Sequence, residues 1–172
     1  LENNKANTKI VYLDNINSGE ISKYNFDYLF IIGGSILDNK TLMTARKSCL
    51  VAHNTYLPKL RGFGGGEIWA AINNDFGALG YSVIKGDKRF DSGDILLQEK
   101  LKLRKNECFE KLILRNFDLG TNLIIKSFEK LKSQKFKFKK QVDSKATYIC
   151  GHPTKKEYKK GLANYQRALK KL

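Results

Sequence analysis

Apolar residues recur along this chain in two patterns. Short unbroken runs at Tyr28 to Ile32 (YLFII) and Cys49 to Ala52 suit strands buried on both faces of a parallel sheet. Lys9 to Leu13 (KIVYL), Leu79 to Ile84 and a start at Ile95 to Gln98 predict further strands. Helical spacing appears at Glu67 to Asn73, where Ile68, Ala71 and Ile72 share one face. It appears again from Glu107 to Ser133, through Phe109, Leu112, Ile113, Phe117, Leu123, Ile124, Phe128 and Leu131. Gly120 is expected to interrupt or bend that helix. Ser18 is a candidate cap for a short helix, and Asp38 or Asn39 for one reaching about Lys47. Residues 1–8 are polar and expected to be loose. The strand–helix–strand rhythm predicts an α/β fold with right-handed parallel crossovers. Ligands of open parallel sheets collect beyond the carboxyl ends of the strands, which here means Gly33–Leu37 and His53–Arg61.

The last third of the chain reads differently. Lys135 to Lys140 (KFKFKK) alternates apolar and basic residues. It suits a half-buried edge strand guarded by lysines, and less well a strip stacking on single-stranded nucleic acid. Residues 154–172 predict a basic helix or helix pair with Tyr158, Leu162, Tyr165 and Leu169 on one face, docked on the domain. We therefore divide the chain at 142, with 143–172 as a basic helical tail.

Composition narrows the class. A chain of 172 residues with 41% apolar and 11% aromatic residues is long and apolar enough for one sizeable core. No apolar run approaches the ~20 residues of a membrane span, and the polar N-terminus carries no signal peptide. The first residue is Leu, so the expectation is a fragment or processed chain. Three widely spaced cysteines, Cys49, Cys108 and Cys150, have no metal-ligand spacing. They suit apolar fillers in a reduced, cytoplasmic protein without a metal. The net charge of +15 is uneven: residues 1–100 hold 12 basic and 11 acidic side chains, and residues 101–172 hold 20 and 6. That field favours anionic partners such as nucleotide phosphates, folate carboxylates or RNA, or is a solvated lysine-rich surface.

Candidate chemistry concentrates between Val51 and Asp94. His53 closes a predicted strand before a turn-prone segment, and Asp91-Ser92-Gly93 opens the next strand. An imidazole and a carboxylate at the ends of neighbouring strands form a plausible acid–base pair. The glycine-rich stretch Gly62 to Gly66 lacks the GxxxxGK[ST] pattern, and Gly33-Gly34 is not a GxGxxG motif. A nucleoside-triphosphatase loop is therefore rejected and a dinucleotide loop is disfavoured.

His53, Leu57-Pro58, Arg61-Gly62 and Asp91-Ser92-Gly93, in that order, resemble the catalytic core of the folate-dependent formyltransferases. These include the methionyl-tRNA, glycinamide ribonucleotide and nucleotide-amino-sugar enzymes. The resemblance spans roughly residues 8–132, including FDYLFIIGGSIL (26–37). It implies a Rossmann-like parallel sheet that lacks the family's first strand–helix–strand unit. It implies 10-formyltetrahydrofolate as the formyl donor, with backbone of Ile36, Leu37, Asp87, Lys88, Arg89 and Phe90 against the pterin. His53 and Asp91 are implied as the catalytic pair. Asn54, Thr55 and Arg61 are candidates to hold the acceptor amine's carrier, with Arg61 equally suited to anchoring its loop. The acceptor expected is an amino sugar on a nucleotide. A methionyl-tRNA or other RNA-directed relative is the alternative, the basic C-terminal part being the RNA contact. Oligomerisation is left open.

Val51 stands where the family has Asn, and its side chain cannot donate to a developing oxyanion. Loss of one such donor typically costs ~2.7–4 kcal/mol. A degenerate folate-binding or interaction module is therefore the second reading.

Overall fold

The computed structural model describes residues 10–34, 36–133 and 136–172. The elements in chain order are β1 (Tyr28–Ile32), α1 (Asn39–Leu42), β2 (Ser48–His53), β3 (Leu60–Phe63), α2 (Gly66–Ile72), β4 (Gly80–Lys85), β5 (Ile95–Lys100), α3 (Phe109–Lys132), β6 (Thr147–Cys150) and α4 (Lys155–Leu169). The two unbroken apolar runs pair in parallel as β1 and β2, with Phe30 opposite Leu50. Their α/β crossover is the one the sequence predicts. Strands β4 and β5 then extend the sheet antiparallel, giving the order β1-β2-β4-β5.

Helix α3 lies across β4 and β5. Leu123 and Leu131 close a core with Leu50, Ala52, Tyr81, Val83 and Leu96. Gly120 does not interrupt α3, which runs unbroken from Phe109 to Lys132. A Cβ at 120 would run into the ring of Tyr81, so the glycine serves the close approach of helix and strand. Phe136 and Phe138 pack on this core, and Lys139 bridges Ile95 at the sheet edge. Lys135 lies outside the described residues.

A second core joins Ile68, Ala71 and Ile72 of α2 to Tyr165 and Leu169 of α4 and to Phe109 and Leu112 of α3. Helix α4 begins with a full capping box, Thr154 with Glu157. Strand β6 pairs in parallel with β3, a two-stranded ribbon that local patterning does not announce. It also accounts for part of the glycine-rich stretch. A Cβ at Gly62 or Gly64 would strike the Ile149 or Gly151 carbonyl.

Two local expectations change. Residues 10–13 form no strand, and Tyr12 is 92% exposed, because the edge of β1 pairs only with β2 among the described residues. Lys9 and residues 1–8 lie outside the described residues. Asp38 does cap a helix, its Oδ1 accepting from Thr41 N at 2.7 Å, but α1 ends at Leu42. Residues 43–47 then form a turn and bends that lead into β2, and Lys47 N donates to Asp27 O at 2.9 Å.

Candidate active site

The parallel pair delivers the carboxyl ends of β1 and β2 to one edge. A cavity of about 440 Å³ opens there. Its walls come from Gly33, Gly34, Ile36 and Leu37 after β1, from Val51 to Asn54, and from Asp87 to Asp91 after β4. The two loops expected to flank a pterin thus line the same cavity. Ser35, within the first of these loops, lies outside the described residues. Phe63 and Phe90, 6.4 Å apart, stand at the wall beyond the ribbon.

His53 is buried at the cavity floor, 8% exposed. Its Nε2 lies 3.0 Å from the Leu60 carbonyl, which can only accept, so Nε2 carries a proton and the ring is fixed. Nδ1 is left facing Asp91, 3.5 Å from Oδ2. The carboxylate is fixed in turn. The Gly62 amide donates to Oδ2 at 2.8 Å, and Gln141 Nε2 donates to the Asp91 carbonyl at 2.8 Å. The preceding turn is organised by Asp87, whose Oδ2 accepts from Ser92 Oγ at 2.9 Å. A ring held at one nitrogen, with a carboxylate beside the other, can accept a proton at Nδ1 and have the resulting charge stabilised.

Val51 sits on the cavity side of β2, in register between Ile31 of β1 and Ile84 of β4. All three line the cavity. The position expected to offer a carboxamide is therefore the middle of an apolar strip.

The other candidates separate. Asn54 lines the cavity, as do Ile36, Leu37, Asp87, Lys88, Arg89 and Phe90. Arg89 also reaches Asp143, its Nη1 donating to Oδ2 at 3.2 Å. Thr55 and Arg61 do not line it, and this corrects their assignment to substrate. Thr55 is buried and donates from Oγ1 to the Leu60 carbonyl at 2.6 Å. Arg61 is fully buried, its guanidinium donating to Gln141 Oε1, Asp143 Oδ1 and Tyr148 Oη at 2.8–3.3 Å. It anchors the ribbon to the segment before β6. These contacts hold the Asp143 carboxyl below the usual range, the Arg61 hydrogen bond being the largest cause.

Sequence reasoning missed Glu67 of α2 and Asn116 of α3, which hydrogen-bond Asn54, and Tyr81 of β4, which lines the same cavity. A glutamate beginning a predicted helix and an asparagine on an otherwise core-facing helical position were the available signals. Burial pushes the Cys49 thiol up to about 11, consistent with an apolar filler. Among the described residues no group of three or more His, Cys, Asp or Glu side chains gathers to hold a metal. No described helix is long and apolar enough to cross a membrane.

No family model matches the chain. It is 32% identical over 157 residues to a methionyl-tRNA formyltransferase of Lachnospira eligens, covering 89% of this chain and 49% of the relative. It is 38% identical over 127 residues to that of Methylacidiphilum infernorum, covering 71% of this chain and 39% of the relative. The chain thus spans half or less of the length of these two curated relatives. The formyltransferase PseJ from Anoxybacillus kamchatkensis, solved with UDP-4,6-dideoxy-4-formamido-L-AltNAc and tetrahydrofolate, superposes with a TM-score of 0.71. That match covers 81% of this chain and 72% of PseJ at 17% identity, and it speaks for a shared fold. Ordered motifs, His53 at the end of β2 beside Asp91 of the β4–β5 loop, and curated relatives at this identity lead to one assignment: the chain belongs to the formyltransferase family.

Proposed function

We propose that this chain transfers a formyl group from 10-formyltetrahydrofolate to a primary amine. The observation that carries the reading is His53 Nδ1 facing Asp91 Oδ2 inside a cavity walled by both 33–37 and 87–90 backbone loops. Those loops suit a flat heterocycle, since they offer backbone groups beside the apolar side chains of Ile31, Leu37 and Ile84. The bound donor supplies an electrophilic formyl carbon. The amine nitrogen forms a new bond to that carbon, the bond from the carbon to N10 breaks, and the proton shed by the amine ends on N10. His53 is placed to carry that proton at Nδ1, with Nε2–H held on the Leu60 carbonyl. Asp91 stabilises the imidazolium while it lasts.

The acceptor we propose is an amino sugar on a nucleotide, supported by the likeness to PseJ. A second reading, methionyl-tRNA, is favoured by the curated relatives. Val51 supports a slower enzyme or a folate-binding relative, because the strip Ile31–Val51–Ile84 offers the formyl oxygen no side-chain donor.

Calorimetric titration of the chain with 5-formyltetrahydrofolate, which does not transfer its formyl group, tests the donor site. Saturable binding that His53 or Phe90 variants weaken is expected, and a folded chain that binds no folate overturns the proposal. Turnover of 10-formyltetrahydrofolate with a nucleotide-linked amino sugar and with methionyl-tRNA then decides the acceptor.

A further inference from the structure

His53 and Asn54 are neighbours in sequence, yet they enter two separate polar clusters. The second cluster is built around a buried carboxylate. Glu67, 5% exposed, accepts from Asn54 Nδ2 at 3.1 Å through Oε2 and from Asn116 Nδ2 at 2.7 Å through Oε1. Asn116 Nδ2 also donates to the Asn54 carbonyl at 3.1 Å. A carboxylate only accepts, so it dictates how both carboxamides are turned, with each NH2 toward Glu67. The Asn54 oxygen is then left over. Among the described residues no donor reaches it, and Asn54 lines the cavity. Asn116 Oδ1 is likewise buried without a partner. Tyr81 lines the same side of the cavity, and none of the hydrogen bonds among described residues engages its hydroxyl. Burial, and then the Glu67 charge, push its phenol up, so the hydroxyl keeps its proton.

We infer that the part of the cavity bounded by Asn54, Tyr81 and Phe117 is the amine subsite, in which Asn54 Oδ1 accepts an N–H from the incoming amine. Glu67 is the positioning residue that holds the carboxamide by its NH2 and leaves that oxygen without a partner. A buried negative charge behind an accepting oxygen suits an ammonium or amine and disfavours an anion or an N–H-free cation. The hydrogen bond that orients the amine is made by Asn54, and His53 is kept for the departing proton. The amine attacks through its nitrogen lone pair, one N–H is oriented by Asn54, and another proton leaves toward His53. The identity of the amine as a substrate rests on the formyl-transfer reading. The chemistry of the subsite does not.

Side-chain amide NMR of the 15N-labelled full chain tests this, with methylammonium chloride as the probe and tetramethylammonium, which has no N–H, as the control. Asn54→Asp identifies the Asn54 signals by their loss. Saturable shifts of those signals by methylammonium alone are expected, with affinity reduced about tenfold or more in Glu67→Gln. No shift in the folded wild type, an equal response to tetramethylammonium, or unchanged affinity in Glu67→Gln overturns the inference. If Glu67→Gln does not fold, Asn54→Leu replaces it, read at the backbone amides of Tyr81 and Phe117, where the methylammonium response must disappear. Binding of 5-formyltetrahydrofolate is measured separately. Its failure with the methylammonium response intact removes the donor site and leaves the amine subsite. Its success without that response does the reverse. Once an acceptor turns over, Asn54→Leu is expected to raise its KM about tenfold and leave the donor KM unchanged.

Discussion

The end of β2 and the strand β3 belong to the same sequence motif, and the structure gives them opposite tasks. At Val51 to Asn54 the chain meets the cavity, with His53 beside Asp91 and Asn54 held by Glu67. At Leu60 to Phe63 the chain enters the ribbon with β6, and Arg61 is fully buried against Gln141, Asp143 and Tyr148. Both halves hold charged or polar residues. What separates them is the partner each meets. The first faces the cavity at the carboxyl ends of β1 and β2. The second meets a segment from the other end of the chain. Asp91 joins the two, because it stands beside His53 while accepting the Gly62 amide.

Substitutions should divide along that line. The largest effect is expected for His53→Ala, which removes the proton carrier. Formyl transfer should fall ~100- to 10,000-fold with the unfolding midpoint little changed. A steady-state assay beside urea denaturation checks both halves, and a large stability loss would make His53 a core residue. Val51→Asn is expected next, with the opposite sign. A donor placed between Ile31 and Ile84 should raise turnover by a factor of ~100–1,000 if the formyl oxygen lies over that strip. No change in single-turnover rate would place the oxygen elsewhere.

On the other side of the line, Arg61→Met should leave folate affinity within a few fold and lower stability. The loss should be about 1–3 kcal/mol, as Gln141 Oε1 loses its donor. Denaturant unfolding and calorimetry read the two. Loss of binding without loss of stability would restore Arg61 to the site. The smallest effect concerns pH. The Asp143 carboxyl is held low in the folded chain by Arg61, and then by Arg89. A depressed carboxyl stabilises fully above its unfolded value near 3.8 and loses that contribution as pH falls through the folded value. Acid unfolding of Asp143→Asn should therefore be slightly less steep below about pH 4. The pair is largely solvent-exposed on the Asp143 side, so a modest shift is expected.

Much of the sheet was legible locally. The apolar runs YLFII and Cys49 to Ala52 became β1 and β2, but only β2 is largely buried; β1 is half-buried and Ile32 is 63% exposed, because β1 is the outer strand of the sheet among the described residues. Helix α3 was legible by its period, but Gly120 was misread, because local propensity cannot see Tyr81 pressing on it. Lys9 to Leu13 has a strand's composition and residues 10–13 gain no strand partner, so pattern alone did not make a strand. At the site, His53 could be chosen from its place at the end of β2, whereas Asp91 lies in the loop between β4 and β5 and is marked chiefly by the ordered family motif. Thr55 and Arg61 could not be told from them, since burial depends on what packs above.

The sequence by itself determined the two paired apolar strands, the long amphipathic helix and the crossover that brings two strand ends to one edge. Each follows from periodicity within a few residues. The tertiary structure alone decided that Arg61 faces inward, that the glycine-rich stretch runs beside β6, and that Glu67 and Asn116 enclose Asn54. These depend on groups brought together from distant parts of the chain. Hydrogen-bond partners 49 to 87 positions apart, as in Asn116 with Glu67 and Arg61 with Tyr148, leave no trace in a local pattern.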